Sequence, residues 1–394
     1  MLGNSTQYLN KIAYSWPWLS RYPWQRVSRW LERLSSAHNP QHIMVMVANH
    51  FEPSWDKHKV PLSWTAQRQR LDRWCVQAAA LGNAVRDQDG TPFRHTNFFP
   101  AEQTHPLLLG KLAELQSAGF GEVEIHLHHG VNKPDTAENL RKSLVEFRDL
   151  LADEYNLLSR RENSSLPQYG FVHGNLALAN SKNGECCGVD SEMQILAETG
   201  CYADFTLPAI PEPSQVAKIN TLYQCGHPLH ERAPHRSGPD LRVGDTTQSP
   251  LLVTGPVVFD WTRRKRGLPI PRLDDGVLAQ NYPLSLTRWR RWQSSDIHVQ
   301  GREDWIFVKL YCHGFFDHDN EQMIGDEARI FWEKILELSA RSGQFKVHFV
   351  SARETFNIIH AALDGHSGDP GLFRDYQLRA IMKTQKEWRY AVAI

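Results

Sequence analysis

The sequence predicts an α/β protein whose main domain is a distorted parallel (β/α) barrel. Strand-like segments, either continuously apolar or alternating between apolar and polar residues, take turns with segments whose apolar residues recur at helical spacing. Several strand-like segments end in histidine, aspartate, glutamate or asparagine, and the sites of parallel barrels lie at that end of the strands. A chain of 394 residues is also long enough for one barrel with insertions.

The predicted barrel occupies residues 41–365, between two smaller parts. Residues 1–40 are predicted to form an N-terminal helical extension rich in tryptophan and arginine, and residues 366–394 a C-terminal helical tail. Residues 208–250 interrupt the rhythm of the barrel, because they are rich in proline, glycine and histidine and too long for a connecting turn. We interpret them as an insertion that shapes a binding mouth.

The composition excludes some partners and favours one compartment. Lys+Arg and Asp+Glu are both 44, so the chain has no broad basic field and nucleic acid is excluded as a partner. The six cysteines show no CxxC pairing, which favours free thiols in a reducing compartment. Neither a signal-peptide pattern nor an apolar stretch of about 18 residues is present, so we expect a cytoplasmic protein.

The first helical pattern belongs to the N-terminal extension. From Trp24 to Leu34, the apolar residues Val27, Trp30 and Leu31 recur at helical spacing beside several arginines, which predicts an amphipathic helix. Such a stripe is the ordinary pattern of a helix packed on the body of a protein. The alternative is that residues 1–38 lie on a membrane surface and make the protein peripheral to the inner membrane.

The first strand of the barrel ends in two polar side chains that we expect to point the same way. The apolar run 43–48 predicts a buried parallel strand, and the polar segment 49–53 follows it. His50 and Glu52, two residues apart, would share one face if the strand continues. The next predicted elements are a helix at 63–81 with Ser63 as N-cap, a short strand at 96–100 and a helix at 105–118.

The segment Gly121–Gly130 carries the strongest chemical signal. Its apolar residues occupy alternate positions, so Glu124, His126 and His128 share the opposite face of the predicted strand. Two histidines spaced two apart on a strand can reach one cation, since imidazole is the commonest protein ligand for metals such as zinc. His129 should face the other way.

The remaining elements repeat the same arrangement, with polar residues at the ends of strands. Strands ending in His173 and Asn175, in Asp204, in Asp260 and in His313 are expected at 169–175, 200–206, 251–261 and 305–314. Helices are expected at 136–156, 191–199 and 326–341, and a last strand at 345–351 leads into a closing helix from Ala352.

This order of motifs resembles the NodB-homology polysaccharide deacetylases, carbohydrate esterase family 4, and their wider glycoside hydrolase/deacetylase superfamily. Between residues 43 and 360, Gly119–His129 looks like the paired-histidine motif and Ile306–His313 like the late histidine motif. The aspartate pair of the family is replaced by Asn49-His50-Phe51-Glu52, and the histidines lie two and three apart instead of four. The segments around 169–181 and 188–208 also resemble deacetylase-like proteins associated with bacterial extracellular polysaccharide production.

The resemblance implies a barrel of the polysaccharide deacetylase type and a metal-dependent hydrolase that removes acetyl groups from a sugar or polysaccharide. A divalent ion, with zinc as first choice, would lower the pKa of a water molecule and polarise the acetyl carbonyl. The predicted metal ligands are His50, His126 and His128. The predicted catalytic residues are Glu52 as base, His313 as acid and Asp260 as an alternative base, and the predicted substrate-binding residues are His173, Asn175 and Asp204.

Two alternatives stay open from the sequence. His50-Phe51-Glu52 is similar to the His-x-Asp metal motif of family 38 α-mannosidases, which would make the protein a glycoside hydrolase with Asp204 as nucleophile. A non-catalytic carbohydrate-binding or assembly protein is the other alternative, because fold does not fix function and the aspartate pair is missing.

Overall fold

The computed structural model describes residues 13–35, 40–56, 58, 60–248, 250–262, 264–265 and 267–382. Most of the predicted N-terminal extension and barrel therefore falls within the described residues. Residues 1–12 and 36–39 of the extension, Arg263 and Arg266, and residues 383–394 of the predicted helical tail lie outside them.

The described residues form a mixed α/β structure. Its strands are β1 Gln41–His50, β2 His95–Pro100, β3 Gly121–Leu127, β4 Ser159–Arg160, β5 Pro167–His173, β6 Cys201–Asp204, β7 Leu222–Tyr223, β8 Leu251–Val253, β9 Val258–Asp260, β10 Arg264–Lys265, β11 Leu268–Pro269, β12 Arg272–Asp274, β13 Trp305–His313 and β14 Phe345–Phe349. Its α-helices are α1 Tyr22–Ser35, α2 Trp64–Ala84, α3 Pro106–Ser117, α4 Ala137–Asp149, α5 Glu192–Thr199, α6 Leu286–Ser294, α7 Asn320–Met323, α8 Asp326–Ser342 and α9 Ala352–Leu363.

Most predicted elements are present within a few residues of their expected ends, and Ser63 caps α2 by accepting from the backbone N–H of Ala66. The segment 251–261 differs, because it forms two short strands, β8 and β9, in different sheets. Pro256 between them has no N–H to give to a strand ladder, and the N–H of Gly255 bonds to Leu207 instead. Helix α6 is not anticipated by the sequence pattern.

A ten-stranded, mostly parallel sheet organises the described chain and confirms the predicted α/β class. Its hydrogen-bonded order is β13-β1-β2-β3-β5-β6-β8-β7, with β14 also paired to β1 and β4 to β5. Strand β1 runs parallel to β13 along nearly its whole length, while β14 and β2 share its other edge. Only the short strands β4 and β7 pair antiparallel within the described part of this sheet. The carboxyl ends of β1, β2, β3, β5 and β13 therefore meet at one edge.

The two faces of the sheet bury two separate cores, because alternate residues of a strand point to opposite faces. Along β3, Val123, Ile125 and Leu127 join the core that packs against helices including α2, α3 and α4. Met44 and Met46 of β1 belong to the core on the opposite face, which α9 covers. The polar residues that alternate with Val123 and Ile125 thus lie on the α9 side of the sheet.

Helix α1 packs on the body through polar side chains. The amide of Gln25 donates to the carbonyl of Ile219 at 2.8 Å, and buried Arg29 donates to the carbonyl of Ser295 at 2.5 Å. Tyr22, at the start of the helix, packs against Phe259, whereas four apolar residues point away: Trp24 is 76% and Trp30 60% exposed, and Val27 and Leu31 are exposed as well. The predicted amphipathic helix is present, but its apolar face, formed by Trp24, Val27, Trp30 and Leu31, is not the docked one.

The insertion and the C-terminal segment are held to the body. Residues 208–250 contribute strand β7 and a 3-10 turn at Pro234–Arg236, so part of the predicted loop belongs to the sheet. In residues 366–382, the described part of the predicted helical tail, the structure has the 3-10 turn Pro370–Phe373 and a bridge between Leu378 and Arg161. Among the helices of the described residues, none combines the length and apolar character needed to cross a bilayer.

Candidate functional site

Several histidines predicted from the sequence meet at the carboxyl edge of the sheet. His50 ends β1 beside His313, which ends β13, and the two rings are 4.7 Å apart between centroids. His126 lies near the end of β3, and its ring centroid is 5.0 Å from that of His50 and 4.7 Å from that of His128. The parallel register places His50 level with His313, and through β2 it places His50 level with Glu124, so that His126 lies one side-chain step further along the same face.

Glu52 lies at the centre of this group, which we call the Glu52 cluster: His50, Glu52, His126 and His128. The Glu52 Oε1 atom is 3.2 Å from the Nε2 atom of His126 and 3.2 Å from the Nε2 atom of His128. Three of these residues, His50, Glu52 and His126, each offer one ligand atom, and the three atoms lie within 4.8 Å of one another. The side chain of Glu52 is 16% exposed, so the cluster is reachable from solvent.

The outer nitrogens of both central histidines are already engaged. The Nδ1 atom of His126 is 3.0 Å from the carbonyl oxygen of Val172, and that of His128 is 2.5 Å from Glu102 Oε1. Both partners can only accept, given an ionised Glu102, so each Nδ1 atom carries a proton and donates it. In the neutral rings, the Nε2 lone pairs then face an oxygen of Glu52.

Two acceptor atoms that are 3.2 Å apart repel each other, so the Glu52 oxygen and the two Nε2 atoms need a positive charge between or beside them. Either protons on the imidazoles or a metal ion can meet this need. The Nε2 atom of His128 is buried, and the Glu52 carboxylate is 3.2 Å away from it. Metal-binding histidines commonly donate their other ring N–H to a carbonyl or carboxylate, as His126 and His128 do here. The cluster therefore fits a divalent metal ion.

The electrostatics of the cluster agree with a site for positive charge. Burial raises the pKa of the Glu52 carboxyl, but the imidazoles of His126 and His128, which donate to it when protonated, lower it more, so it lies well below its ordinary value. Burial lowers the pKa of His128, yet hydrogen bonds to Glu102 and Glu52 raise it to about 9. Burial, with His313 nearby, holds the pKa of His50 well below its ordinary value. Metal binding would release a proton from His128, whereas His50 is already neutral and would release none.

Two residues of the site are missed by the sequence reasoning. Glu102 orients His128 from the turn Ala101–Gln103 that follows β2. A carboxylate directly after a predicted strand is a signal that could have identified it. Gly174 is the other, because a Cβ atom there would lie 2.4 Å from the His128 ring. Its position beside the ring depends on the tertiary structure and leaves no pattern in the sequence.

The other predicted site residues contact different partners. Asp260 bonds to Thr262 and forms an ion pair with Arg291 at 2.6 Å. Buried Asp204 accepts from the hydroxyl and the backbone N–H of Thr206, and burial raises its pKa to about 7. His173 lies 3.9 Å from Glu192, and its Nδ1 atom accepts from the backbone N–H of half-buried Asn175.

An open groove of about 750 Å³ runs beside the cluster. His128 and Glu102 form part of its wall. Trp55, also in the wall, has its ring 5.3 Å from that of His128. Asn132, Lys133 and Phe147 also line the groove. An aromatic face together with amide groups suits a sugar ring, which stacks on the former and bonds to the latter.

Comparisons with known proteins do not indicate a function, so the functional assignment rests on the geometry of the site. The chain matches no model of a known protein family, and no curated protein is similar to it in sequence.

Proposed function

We propose that the protein is a metal-dependent hydrolase that removes acetyl groups from a sugar or polysaccharide, in bacterial extracellular polysaccharide metabolism. The observation that carries this proposal is the convergence of two oriented imidazole nitrogens, from His126 and His128, on one oxygen of Glu52. When bound there, a divalent ion such as zinc would act as a Lewis acid on the acyl carbonyl and lower the pKa of a water molecule.

The distances favour a ligand role for Glu52. Its oxygen lies at 3.2 Å from two ligand nitrogens, and tetrahedral ligands of zinc stand roughly 3.3 Å apart, given bonds of about 2.0–2.1 Å. His313 is then the better candidate for proton transfer. Burial lowers its pKa, so the neutral ring can take a proton from water and return it to the leaving group.

The finer prediction of a distorted barrel of the deacetylase type is part of the same proposal. Lys309 of β13 donates from its Nζ atom to the carbonyl oxygens of Phe205 and Leu207, which follow β6. These bonds connect two strands that are far apart in the hydrogen-bonded order of the sheet, which supports a sheet that curves toward a barrel. The groove with Trp55 and the resemblance of Gly119–His129 to the paired-histidine motif support an acetylated glycan as substrate.

A glycoside hydrolase with an α-mannosidase-like site is the second candidate. It is favoured by one observation, that His50 and Glu52 of the His-x-Glu motif belong to the same metal-competent group. The nucleophile predicted for it, Asp204, is buried and bonded to Thr206, which speaks against attack on a sugar. A non-catalytic carbohydrate-binding protein is the third.

Product analysis separates these candidates. The full chain, loaded with zinc, cobalt or manganese, is incubated with acetylated chitooligosaccharides and with acetylated bacterial polysaccharide. Release of acetate without new reducing ends is the expected result, whereas new reducing ends would establish the glycosidase instead. Saturable binding with neither product under any metal would overturn the hydrolase and leave the binding protein.

We expect Glu102→Gln to weaken metal binding at the Glu52 cluster by about 10- to 100-fold, the usual cost of removing a group that orients a ligand. The amide can still accept from His128 but no longer supplies negative charge. Isothermal titration with zinc would measure this affinity. Glu138→Gln, an exposed carboxylate of α4, is the control, and equal affinity of Glu102→Gln and wild type would show that Glu102 does not orient His128.

The exposed apolar face of α1 suits a membrane surface, and we propose that the protein is peripheral to the inner membrane through it. Trp24 and Trp30 supply the aromatic residues that favour the headgroup region, and exposed Arg21 suits anionic lipid. Trp24→Ala/Trp30→Ala should reduce co-sedimentation with phosphatidylglycerol vesicles at least about tenfold. Trp64→Ala, which removes a tryptophan that is 37% exposed at the start of α2, should change nothing. Binding that is equal in all three proteins, or absent in wild type, would contradict this.

A further inference from the structure

A second group of ligand-type side chains lies on the other side of the end of β3. We call it the Cys187 cluster: His129, His173, Cys187 and Glu192. His129 follows His128 directly but turns away from the Glu52 cluster toward Glu192, which begins α5. His173 ends β5, and Cys187 lies in the loop between β5 and α5. All four residues are buried, and one ligand atom from each lies within 4.8 Å of all the others.

The separations inside the Cys187 cluster are those of ligands around one ion. Glu192 Oε1 is 3.0 Å from His129 Nε2 and 3.9 Å from His173 Nε2, and Glu192 Oε2 is 3.5 Å from Cys187 Sγ. Zinc bonds of about 2.0–2.3 Å to nitrogen, oxygen and sulfur place tetrahedral ligand atoms roughly 3.3–3.6 Å apart. A small adjustment of the side chains would therefore enclose a zinc ion.

Residues around the Cys187 cluster hold its members in place. Asp135 Oδ2 accepts from His129 Nδ1 at 3.0 Å, which leaves Nε2 for the centre of the group. The backbone of Asp135 also donates to the carbonyl of Cys187 at 2.7 Å. Gly130 has a φ of +64°, and a Cβ atom there would lie 2.1 Å from the carbonyl oxygen of Cys187. The loop that carries Cys187 can thus pack directly against His129.

Unpartnered polar atoms point to a ligand in this place. The Nε2 atom of His173 is fully buried and has no hydrogen-bond partner among the described residues. Both ring nitrogens of His235, which is buried and close enough to Glu192 to feel its charge, also lack one there. Burying such groups without partners is costly, so a bound ion that engages His173 would remove part of that cost.

We propose that His129, Cys187 and Glu192, with His173 as the fourth ligand, form a structural zinc site. The thiolate and the carboxylate would neutralise a divalent ion, and thiolate with imidazole is a donor set that zinc prefers. Binding displaces the thiol proton of Cys187 and the Nε2 proton of His129 to solvent. Four buried protein ligands leave no open position, which distinguishes this site from a catalytic one. The site is independent of the function proposed for the Glu52 cluster.

The four ligands should not contribute equally. The Nδ1 atom of His173 accepts from the backbone N–H groups of Asn175 and Ala177, both at 3.3 Å, so the single proton of the ring resides on Nε2. Before Nε2 can bind metal, this proton must move to Nδ1, which gives up those two hydrogen bonds. We expect His173→Ala to weaken zinc binding less than Cys187→Ala does. The competing arrangement contains no metal and places a protonated His129 between Asp135 and Glu192 as a buried ion pair.

Metal analysis of matched variants tests the proposal. After chelation and reloading, elemental analysis should give about two zinc ions per wild-type chain and about one in Cys187→Ala or in His126→Ala/His128→Ala. Cys186→Ala, which removes the neighbouring thiol, is the control and should keep both. Loading the His126→Ala/His128→Ala variant with cobalt should give a thiolate-to-cobalt charge-transfer band, which Cys187→Ala in that background should lose.

Glu192→Gln is a second variant in case Cys187→Ala does not fold. A His126→Ala/His128→Ala protein that folds but holds no zinc and shows no thiolate band would overturn the site and establish the metal-free ion pair. Because this readout does not involve catalysis, absence of hydrolase activity would leave the result intact.

Discussion

Replacing His126 by alanine should remove metal from the Glu52 cluster and lower kcat/KM for an acetylated glycan by more than about 10³-fold. His126 is fully buried and is the one histidine of the cluster that a backbone carbonyl, that of Val172, orients. Its ring lies between those of His50 and His128, 5.0 and 4.7 Å from them, so its loss leaves a gap in the ligand set. Acetate release and metal content, measured on the same preparation, would check this result.

Two further variants make the His126 experiment decisive. Glu52→Gln keeps the shape of the central side chain and removes its charge, so it should fold well and still lose metal. Asp260→Asn is the control, because Asp260 contacts Thr262 and Arg291 and should leave kcat/KM within about twofold of wild type. Full activity in folded His126→Ala would refute the metal mechanism. A large loss of activity in Asp260→Asn would instead indicate that Asp260 is the catalytic base.

Arg353→Met should lower the free energy of unfolding by about 3–5 kcal/mol, the usual cost of leaving one member of a buried ion pair alone. Arg353 is buried at the start of α9 and binds Glu122 at 2.9 Å, Asp375 at 2.6 Å and the carbonyl of Leu378 at 3.0 Å. Its loss would leave the fully buried carboxylate of Glu122 without its ion-pair partner and would remove two of the contacts that hold the C-terminal segment. Urea unfolding followed by circular dichroism would measure the change.

Comparison with a surface ion pair tests the reason for that loss. Arg341 and Glu337 pair on the exposed side of α8, and Arg341→Met should cost no more than about 0.5 kcal/mol. Glu122→Leu/Arg353→Met should recover part of the stability, because no unpaired charge remains in the core. If Arg353→Met were as mild as Arg341→Met, the buried pair would not stabilise the fold.

The alternation of residues along β3 was enough to predict much of the site. Val123, Ile125 and Leu127 are buried against helices, and His126 points to the other face, because strand geometry is local and repeats every two residues. The strand ends of β1 and β13 were predicted from apolar runs that are followed by polar residues. Their meeting at one edge followed from the expectation of parallel strands, which the register of His50 beside His313 confirms.

Three partners of those histidines, Glu102, Cys187 and Glu192, were not predicted as site residues, because the meeting of a strand end with a turn, a loop or the start of a helix depends on tertiary packing. Glu102 reaches His128 from a turn, and Cys187 and Glu192 reach His129 across a loop packed on Gly130. His128 and His129 are adjacent in sequence but belong to different clusters. Where the strand ends, the direction of each side chain depends on the loops that pack around it.

Helix α1 shows the same division between local pattern and tertiary contact. The spacing of Val27, Trp30 and Leu31 determined that an amphipathic helix forms, because that depends on the local period of 3.6 residues. Which face docks was decided by the tertiary structure. The body presents backbone carbonyls of Ile219 and Ser295 at that place, and buried carbonyls require donors, so the face with Gln25 and Arg29 packs inward and the tryptophans remain outside.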